Sequence, residues 1–514
     1  MIYSFDRKDF AKFTSNEEFA KIVDLKTVPE LLNHLKNNYL GLKAIGKRDE
    51  TVATYDELLN DINKVCAYLK EKEVKKGTNI GILFDNSYEF AIFALGVMAY
   101  GAVAVLLPMQ LDEKIIFGCS KKYVLNGLFY LSGFKAKTSL LNPNELMLAD
   151  ESILNNSYDG CFIDNNVKEN DAACIIMTGG TTGKSKGAIL SHTALMCGMI
   201  NGCYGLSNFM HLTYYSMMPL THVFGFIRNL LTSLYTGSLI YFNHDRMKMF
   251  EDMKKYAPSI LVIVPALAEI FLNLAKAYGL GFLGGNVKHI ICGAAPVSSY
   301  LVLGFNNLGV NFCPGYGLTE FANMVSGNPD GINYPASVGM LFPDQEAKIV
   351  DGELLLRGRN MLMGYFNEPE ENKTAFVDGW FKTGDLARFD ENNNLYIIGR
   401  SKDVIILANG ENVSPAYIET KVNELPFVQD SLVTEDKNEL GAQILKVEVV
   451  LRAAVVNQLN KTGEELVKFV TSEILKLNDS LLDYERLSKV VIRDKDFERS
   501  PAMKIIRPKK VYNE

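Results

Sequence analysis

The sequence predicts an α/β protein: a large N-terminal domain of mostly parallel sheets with helices plus a β subdomain, then a small α+β C-terminal domain. Three observations predict it. Apolar strands alternate with amphipathic helices through the N-terminal part, which is the pattern of parallel strands joined by crossover helices. After about Val338 the strands shorten and are joined by Asp-Gly and Asn-rich turns, as in antiparallel hairpins. Past Arg400 the chain is rich in Asp, Glu and Lys and breaks into small helix and strand units. The boundary is placed at Arg400, giving domains 1–399 and 400–514. A chain of 514 residues exceeds what one hydrophobic core serves.

In chain order, Val28 to Asn38 and Tyr55 to Glu73 have helical spacing. Leu58, Leu59, Ile62, Val65 and Leu69 fall near one face of the second, and Thr54 supplies its N-cap. Asn79 to Phe84 reads as a strand, Tyr88 to Tyr100 as a buried helix and Ala102 to Leu107 as a buried strand. The run from Phe90 to Met109 is apolar enough to raise a membrane-spanning reading. Gly101 interrupts it and Pro108 closes it, so helix plus strand is preferred and no transmembrane segment is expected. Lys122 to Tyr130 is a further helix-and-strand piece. Ala172 to Met177 is a strand, a glycine-rich turn comes next, and Ala188 to Leu190 returns as extended chain. Ser259 to Pro265 and Val287 to Cys292 read as strands, with a helix at Ala266 to Tyr278 between them. Lys348 to Val350, Glu353 to Arg357 and Leu395 to Ile398 are the short strands of the β subdomain. Helices are expected at Pro415 to Leu425 and Gly463 to Asn478, the latter burying Leu466, Phe469, Val470 and Ile474.

The totals exclude several classes. A net charge of −7 gives no electrostatic reason to expect nucleic acid. Eight scattered cysteines without a C-x-x-C pair read as reduced thiols, not a disulfide frame or zinc site. The start, MIYSFDRKDF, has no signal-peptide core, and a cytoplasmic location is the expectation.

Residues Thr178 to Gly187, TGGTTGKSKG, carry the chemistry most plainly. Glycines let the backbone approach a ligand, and successive N–H groups form an anion-binding concavity. Thr178, Thr181, Thr182 and Ser185 add hydroxyls, and Lys184 and Lys186 add charge. The loop reads as a polyphosphate grip, with a polar-tipped surface hairpin as the bland alternative. It is not a Walker loop: Gly179 comes one residue too late before Gly183-Lys184-Ser185, and no long amphipathic helix succeeds it.

The order of this loop resembles the phosphate loop of the adenylate-forming superfamily of acyl-CoA synthetases and acyl-AMP ligases, with Ser185 where proline is usual. A serine there predicts a looser loop. Further segments match the family in order over nearly the full chain, and the resemblance implies a role for each. Thr178, Gly179, Gly180, Thr181, Thr182, Gly183, Lys184 and Lys186 would hold ATP phosphates. In Gly315-Tyr316-Gly317-Leu318-Thr319-Glu320, Tyr316 would pack on adenine, Thr319 hold the α-phosphate and Glu320 bind Mg²⁺. By the same resemblance Gly293, Ala294 and Ala295 border adenine and the acyl group. Asp385, in Trp380-Phe381-Lys382-Thr383-Gly384-Asp385, grips ribose, and Arg400 reaches ribose or phosphate. Lys402 is the hinge, Gly410 lines the thiol tunnel, and Lys504 is the catalytic lysine, preceded by Met503 where glycine is usual. His222, in Pro219-Leu220-Thr221-His222, stands at the mouth of the carboxylate site, with Phe224, Phe226, Pro265 and Met324 as pocket neighbours. No Asp accompanies them, which argues against an amino-acid substrate. The activity that the resemblance implies is ATP-dependent conversion of a fatty or aryl acid to acyl-AMP, then transfer to a thiol. Coenzyme A is the preferred acceptor; a carrier-protein phosphopantetheine, or a non-catalytic nucleotide-binding member, are the alternatives.

Overall fold

The computed structural model describes residues 1–178, 185–407, 411–499 and 505–507. Among them the strands form a seven-stranded, a nine-stranded and a six-stranded sheet, with a two- and a three-stranded sheet near the C-terminus.

The seven-stranded sheet is built on the apolar runs. Asn79–Leu83 pairs in parallel with Val103–Leu106 on one side and Leu125–Tyr130 on the other. Every residue of the first two strands is buried, as a parallel strand covered on both faces requires. The intervening helix Tyr88–Tyr100 is apolar all round and is buried but for its last residue and Glu89. Ser87 caps its start by accepting from the Phe90 N–H. Gly101 ends it at φ 92°, a left-handed turn that lets the chain leave the helix directly into the next strand. Among the described residues no helix is long and apolar enough to cross a membrane. Thr54 and Glu57 form a reciprocal capping box on helix Tyr55–Glu71, so its start agrees with the sequence while its end comes two residues early.

The nine-stranded sheet carries the parallel strands Thr213–Ser216, Ile260–Ile263, His289–Cys292 and Asn311–Tyr316. Cys292 lies opposite Pro314, so the segments after Cys292 and after Pro314 emerge side by side at the strands' carboxyl ends. Open α/β sheets bind ligands at such ends. The β subdomain is antiparallel: Gln345–Val350, Glu353–Gly358, Trp380–Phe389 and Leu395–Arg400 pair in succession.

The C-terminal part has its own core, with Ile418 and Val422 of helix Pro415–Asn423 packed with Val447, Val470 and Ile474. A buried contact between Arg452 and Glu269 helps tie it to the large domain. Arg452, 3% exposed, places Nε 2.6 Å from Oε1 of Glu269 on helix Pro265–Tyr278, with its guanidinium 4.0 Å from the Tyr300 ring centroid.

Candidate active site

The hairpin that frames the glycine-rich loop is present. Ala172–Thr178 pairs antiparallel with Lys186–Ser191, with Thr178 opposite Lys186. Gly179, Gly180, Thr181, Thr182, Gly183 and Lys184 lie outside the described residues, as do Gly410 and Lys504. At the base of the loop the Ser185 hydroxyl donates to the Thr178 carbonyl at 3.1 Å. The Ser185 carbonyl accepts from Lys122 Nζ at 2.8 Å. The serine therefore supplies a cross-strand tie that a proline could not make.

Lys186 sits 2.6 Å from the Glu371 carboxylate and 5.1 Å from the Tyr365 ring centroid. Tyr365 in turn donates its hydroxyl to Glu320 Oε1 at 2.8 Å. Burial, and then the Glu320 charge, push the Tyr365 hydroxyl far above its ordinary range, so it stays a donor at neutral pH. Thr319 and Glu320 occupy a single tight turn, followed by Ala322 and Asn323 at positive φ. Such backbone costs of order 1–3 kcal/mol per residue and clusters at functional sites. Gly317 is required here by contact: a Cβ would lie 1.3 Å from the Asn323 carbonyl oxygen.

Asp385 and Arg400 face each other because their strands pair in register. Arg400 Nε lies 2.6 Å from Oδ1 of Asp385, and the Tyr316 hydroxyl donates to Oδ2 at 2.5 Å. Asp385 is 3% exposed. Burial works against the Arg400 charge, but the Asp385 carboxylate and its neighbours outweigh it and keep the guanidinium above its ordinary value. Tyr316 is raised well above its ordinary value by burial and then by Asp385. Lys402 lies in the turn Ser401–Asp403, its ammonium lowered by burial and by Arg400.

Tyr316, Gly293 and Ala294 line one cavity, and Phe224 and Met324 share it. Ala295 continues from Ala294 at the strand end, half-buried. His222 lies just before the cavity wall, its Nδ1 accepting from the Phe224 N–H at 3.2 Å. Two expected pocket neighbours are not among the residues lining this cavity. Phe226 is wholly buried against Phe90, ring centroids 6.2 Å apart, because the turn of the helix carries it to the core side. Pro265 is spent as the first residue of its helix, where a missing N–H costs nothing.

Sequence reasoning missed Tyr365, Glu371 and Arg228. Arg228 lines the same cavity and is 1% exposed. It lies in Phe224–Leu231, a π-helical stretch, and π turns recur at functional sites. Its one sequence signal is a cation inside the otherwise apolar run FGFIRNLL.

As to cations, no cluster of three or more His, Cys, Asp or Glu able to hold a metal occurs among the described residues. Glu320 alone still fits Mg²⁺, which takes one or two protein carboxylates and completes its shell with water and substrate phosphates.

Comparison with known proteins gives the chain's family. Residues 37–366 match the family model described as AMP-binding enzyme, and residues 402–514 match the AMP-binding enzyme C-terminal domain. The chain is 27% identical over 484 residues to 4-coumarate–CoA ligase-like 6 of Arabidopsis thaliana, covering 84% of this chain and 81% of that protein. It is 27% identical over 485 residues to a long-chain-fatty-acid–CoA ligase of Escherichia coli O157:H7, covering 82% and 84%. Its fold is similar to the o-succinylbenzoate CoA synthetase of Bacillus subtilis solved with its acyl-adenylate intermediate: TM-score 0.75, 21% identity, 93% of this chain and 96% of that one.

Proposed function

This chain belongs to the AMP-binding enzymes and is an AMP-forming acid–thiol ligase, and on that premise we propose that it converts a fatty or aryl carboxylic acid to its acyl-AMP and passes the acyl group to coenzyme A. The observation that carries the reading is the cluster Tyr316–Asp385–Arg400, a buried carboxylate with two donors, standing beside the cavity that Tyr316 also lines.

In the first step a substrate carboxylate oxygen attacks the α-phosphorus of ATP, and pyrophosphate leaves. Asp385 accepts from the ribose hydroxyls, and the aromatic wall of Tyr316 lies against adenine. Thr319 and Arg400 donate to phosphate oxygens, so that charge developing in the transition state meets donors already in place. Lys186, at the root of the phosphate loop, exchanges Glu371 for a phosphate oxygen. Lys504 bridges the attacking carboxylate and the α-phosphate. Glu320 would hold Mg²⁺, which when bound would supply Lewis-acid stabilisation of the phosphoryl oxygens. In the second step the part of the chain beyond Lys402 turns about that residue, which withdraws Lys504 and brings Gly410 to the cavity. The coenzyme A thiolate attacks the acyl carbonyl carbon and AMP leaves. Closure around the mixed anhydride keeps water from it.

The test is pyrophosphate release from ATP over a panel of fatty and aryl acids, repeated with coenzyme A. Acid-dependent release, with acyl-CoA as the product mass, is the expected result. Release without acyl-CoA would move the acceptor to a carrier protein. No release with any acid would reduce the chain to a nucleotide-binding member.

A further inference from the structure

Arg228 presents an unusual combination. Its side chain is sequestered from water, lines the cavity, and leaves Nη2 without a hydrogen-bond partner among the described residues. Nη1 makes one contact, donating to the Tyr214 hydroxyl at 3.2 Å. A guanidinium carries five N–H donors and cannot shed its charge in a protein.

The groups that feel this charge are neutral ones. Burial pushes the Cys203 and Cys313 thiols up to about 12 and raises the Tyr214 phenol, and Arg228 offsets only part of that. His289 is held down to about 4 by burial and then by Arg228 itself. Glu18 is the carboxylate that reaches this neighbourhood, and it is already engaged by the Ser15 hydroxyl and the Asn208 N–H. Among the described residues Arg228 has no ion pair. A buried charge without a partner is disfavoured by several kcal/mol. Folds keep such a group where a ligand supplies the counter-charge.

The rest of the cavity lining points to what that ligand is. Gly293, Ala294 and Tyr316 also line this cavity, and the proposed reaction places the adenylated carboxylate beside them. Arg228 comes from another element, the π-helical stretch, and faces the same space. We propose that Arg228 binds a second carboxylate at the distal end of the acyl cavity, so that the preferred substrate is a dicarboxylic acid. The inference rests on the adenylation reading for which carboxylate reacts, but not for whether the second one binds.

The test separates the two. Affinities for the unbranched diacids from succinate to suberate and for terephthalate are measured by calorimetry on the full chain with AMP. Each is set against the monoacid of matching length, or 4-methylbenzoate. Wild type is compared with Arg228→Met and Arg228→Lys. A charge-assisted bidentate contact predicts at least one diacid bound about tenfold or more tighter than its monoacid. That preference disappears in Arg228→Met and survives in part in Arg228→Lys. Equal or tighter binding of every monoacid by wild type overturns the proposal without needing any variant. An unliganded Arg228→Met protein is expected to melt at or above the wild-type temperature, since the substitution removes an unpaired buried charge. A large drop in melting temperature with unchanged ligand preference would make Arg228 a structural group and sink the idea. Pyrophosphate release is read separately. Diacids that bind through Arg228 yet release none refute adenylation and leave this inference standing. Turnover of monoacids with diacids excluded does the reverse.

Discussion

At the scale of single residues, the cluster proposed to grip ribose is the most defined part of the site. Asp385 is held by the Tyr316 hydroxyl and Arg400 before any ligand arrives, and its own N–H donates to the Thr383 hydroxyl at 3.0 Å. Asp385→Asn keeps the shape but removes the charge that Arg400 and the ribose hydroxyls need. Hydrogen bonds to charged groups are worth about 1.5–3 kcal/mol, so KM for ATP is expected to rise about 10- to 100-fold in steady-state assays, with a smaller fall in kcat. Lys504→Ala is expected to abolish acyl-AMP formation yet spare thioester formation from supplied acyl-AMP. Full adenylation by that variant would refute its assignment. The motif residues were legible because they sit in ordered strings of unusual composition. Tyr365 and Glu371 were not, because what matters in them is reach across space. Tyr365 finds Glu320 from 45 positions away. Arg228 was visible as a cation in an apolar run, but only burial without a counter-charge gives it meaning.

At the scale of elements, two histidines each open one. His192 begins helix His192–Asn201 and is wholly buried, its Nδ1 accepting from the Val28 N–H at 3.3 Å. His289 begins strand His289–Cys292. Burial lowers both from 6.5 to about 4. Between those values the unfolded chain takes up protons that the folded one refuses. Stability is therefore full above pH 6.5, is lost as pH falls towards 4, and levels off below it from this source. Each contributes up to about 3 kcal/mol. Melting temperatures at about pH 7 and about pH 4.5 should show this drop, and His192→Asn should reduce it by roughly half. An unchanged slope in the variant would exclude His192 as a source. Element boundaries were legible wherever capping chemistry marks them, as at Thr54 and Gly101. They slipped by one to three residues at strand ends, where the sheet decides. Sheet order was not legible, because nothing local says that Asn79–Leu83 lies between its two later neighbours.

At the scale of the whole molecule, the Arg452–Glu269 pair with Tyr300 joins the C-terminal part to the large domain. Both charges are largely out of water, at 2% and 13% side-chain exposure. Removing one partner of such a pair costs about 3–5 kcal/mol because the other is left unpaired. Glu269→Gln should loosen this docking and raise the rate of the first tryptic cut at Arg400 or Lys402 by about tenfold or more. The double variant Glu269→Arg with Arg452→Glu should bring the rate part of the way back. No change in either would mean that the pair does not hold the arrangement. A contact of this kind has no trace in the sequence, since Glu269 and Arg452 are 183 positions apart.

The pairing of Trp380–Phe389 with Leu395–Arg400 works as a crank. Asp385 lies on one limb and Arg400 on the other, at a rung of the ladder, and the turn Ser401–Asp403 begins at the very next residue. In the proposed reaction no slack chain would separate the nucleotide's sugar from the pivot. Torque from a swinging C-terminal part would arrive first at Arg400 and through it at Asp385. Occupancy of the proposed ribose position would then stiffen or free the axle itself, and turnover and rotation would share one bearing.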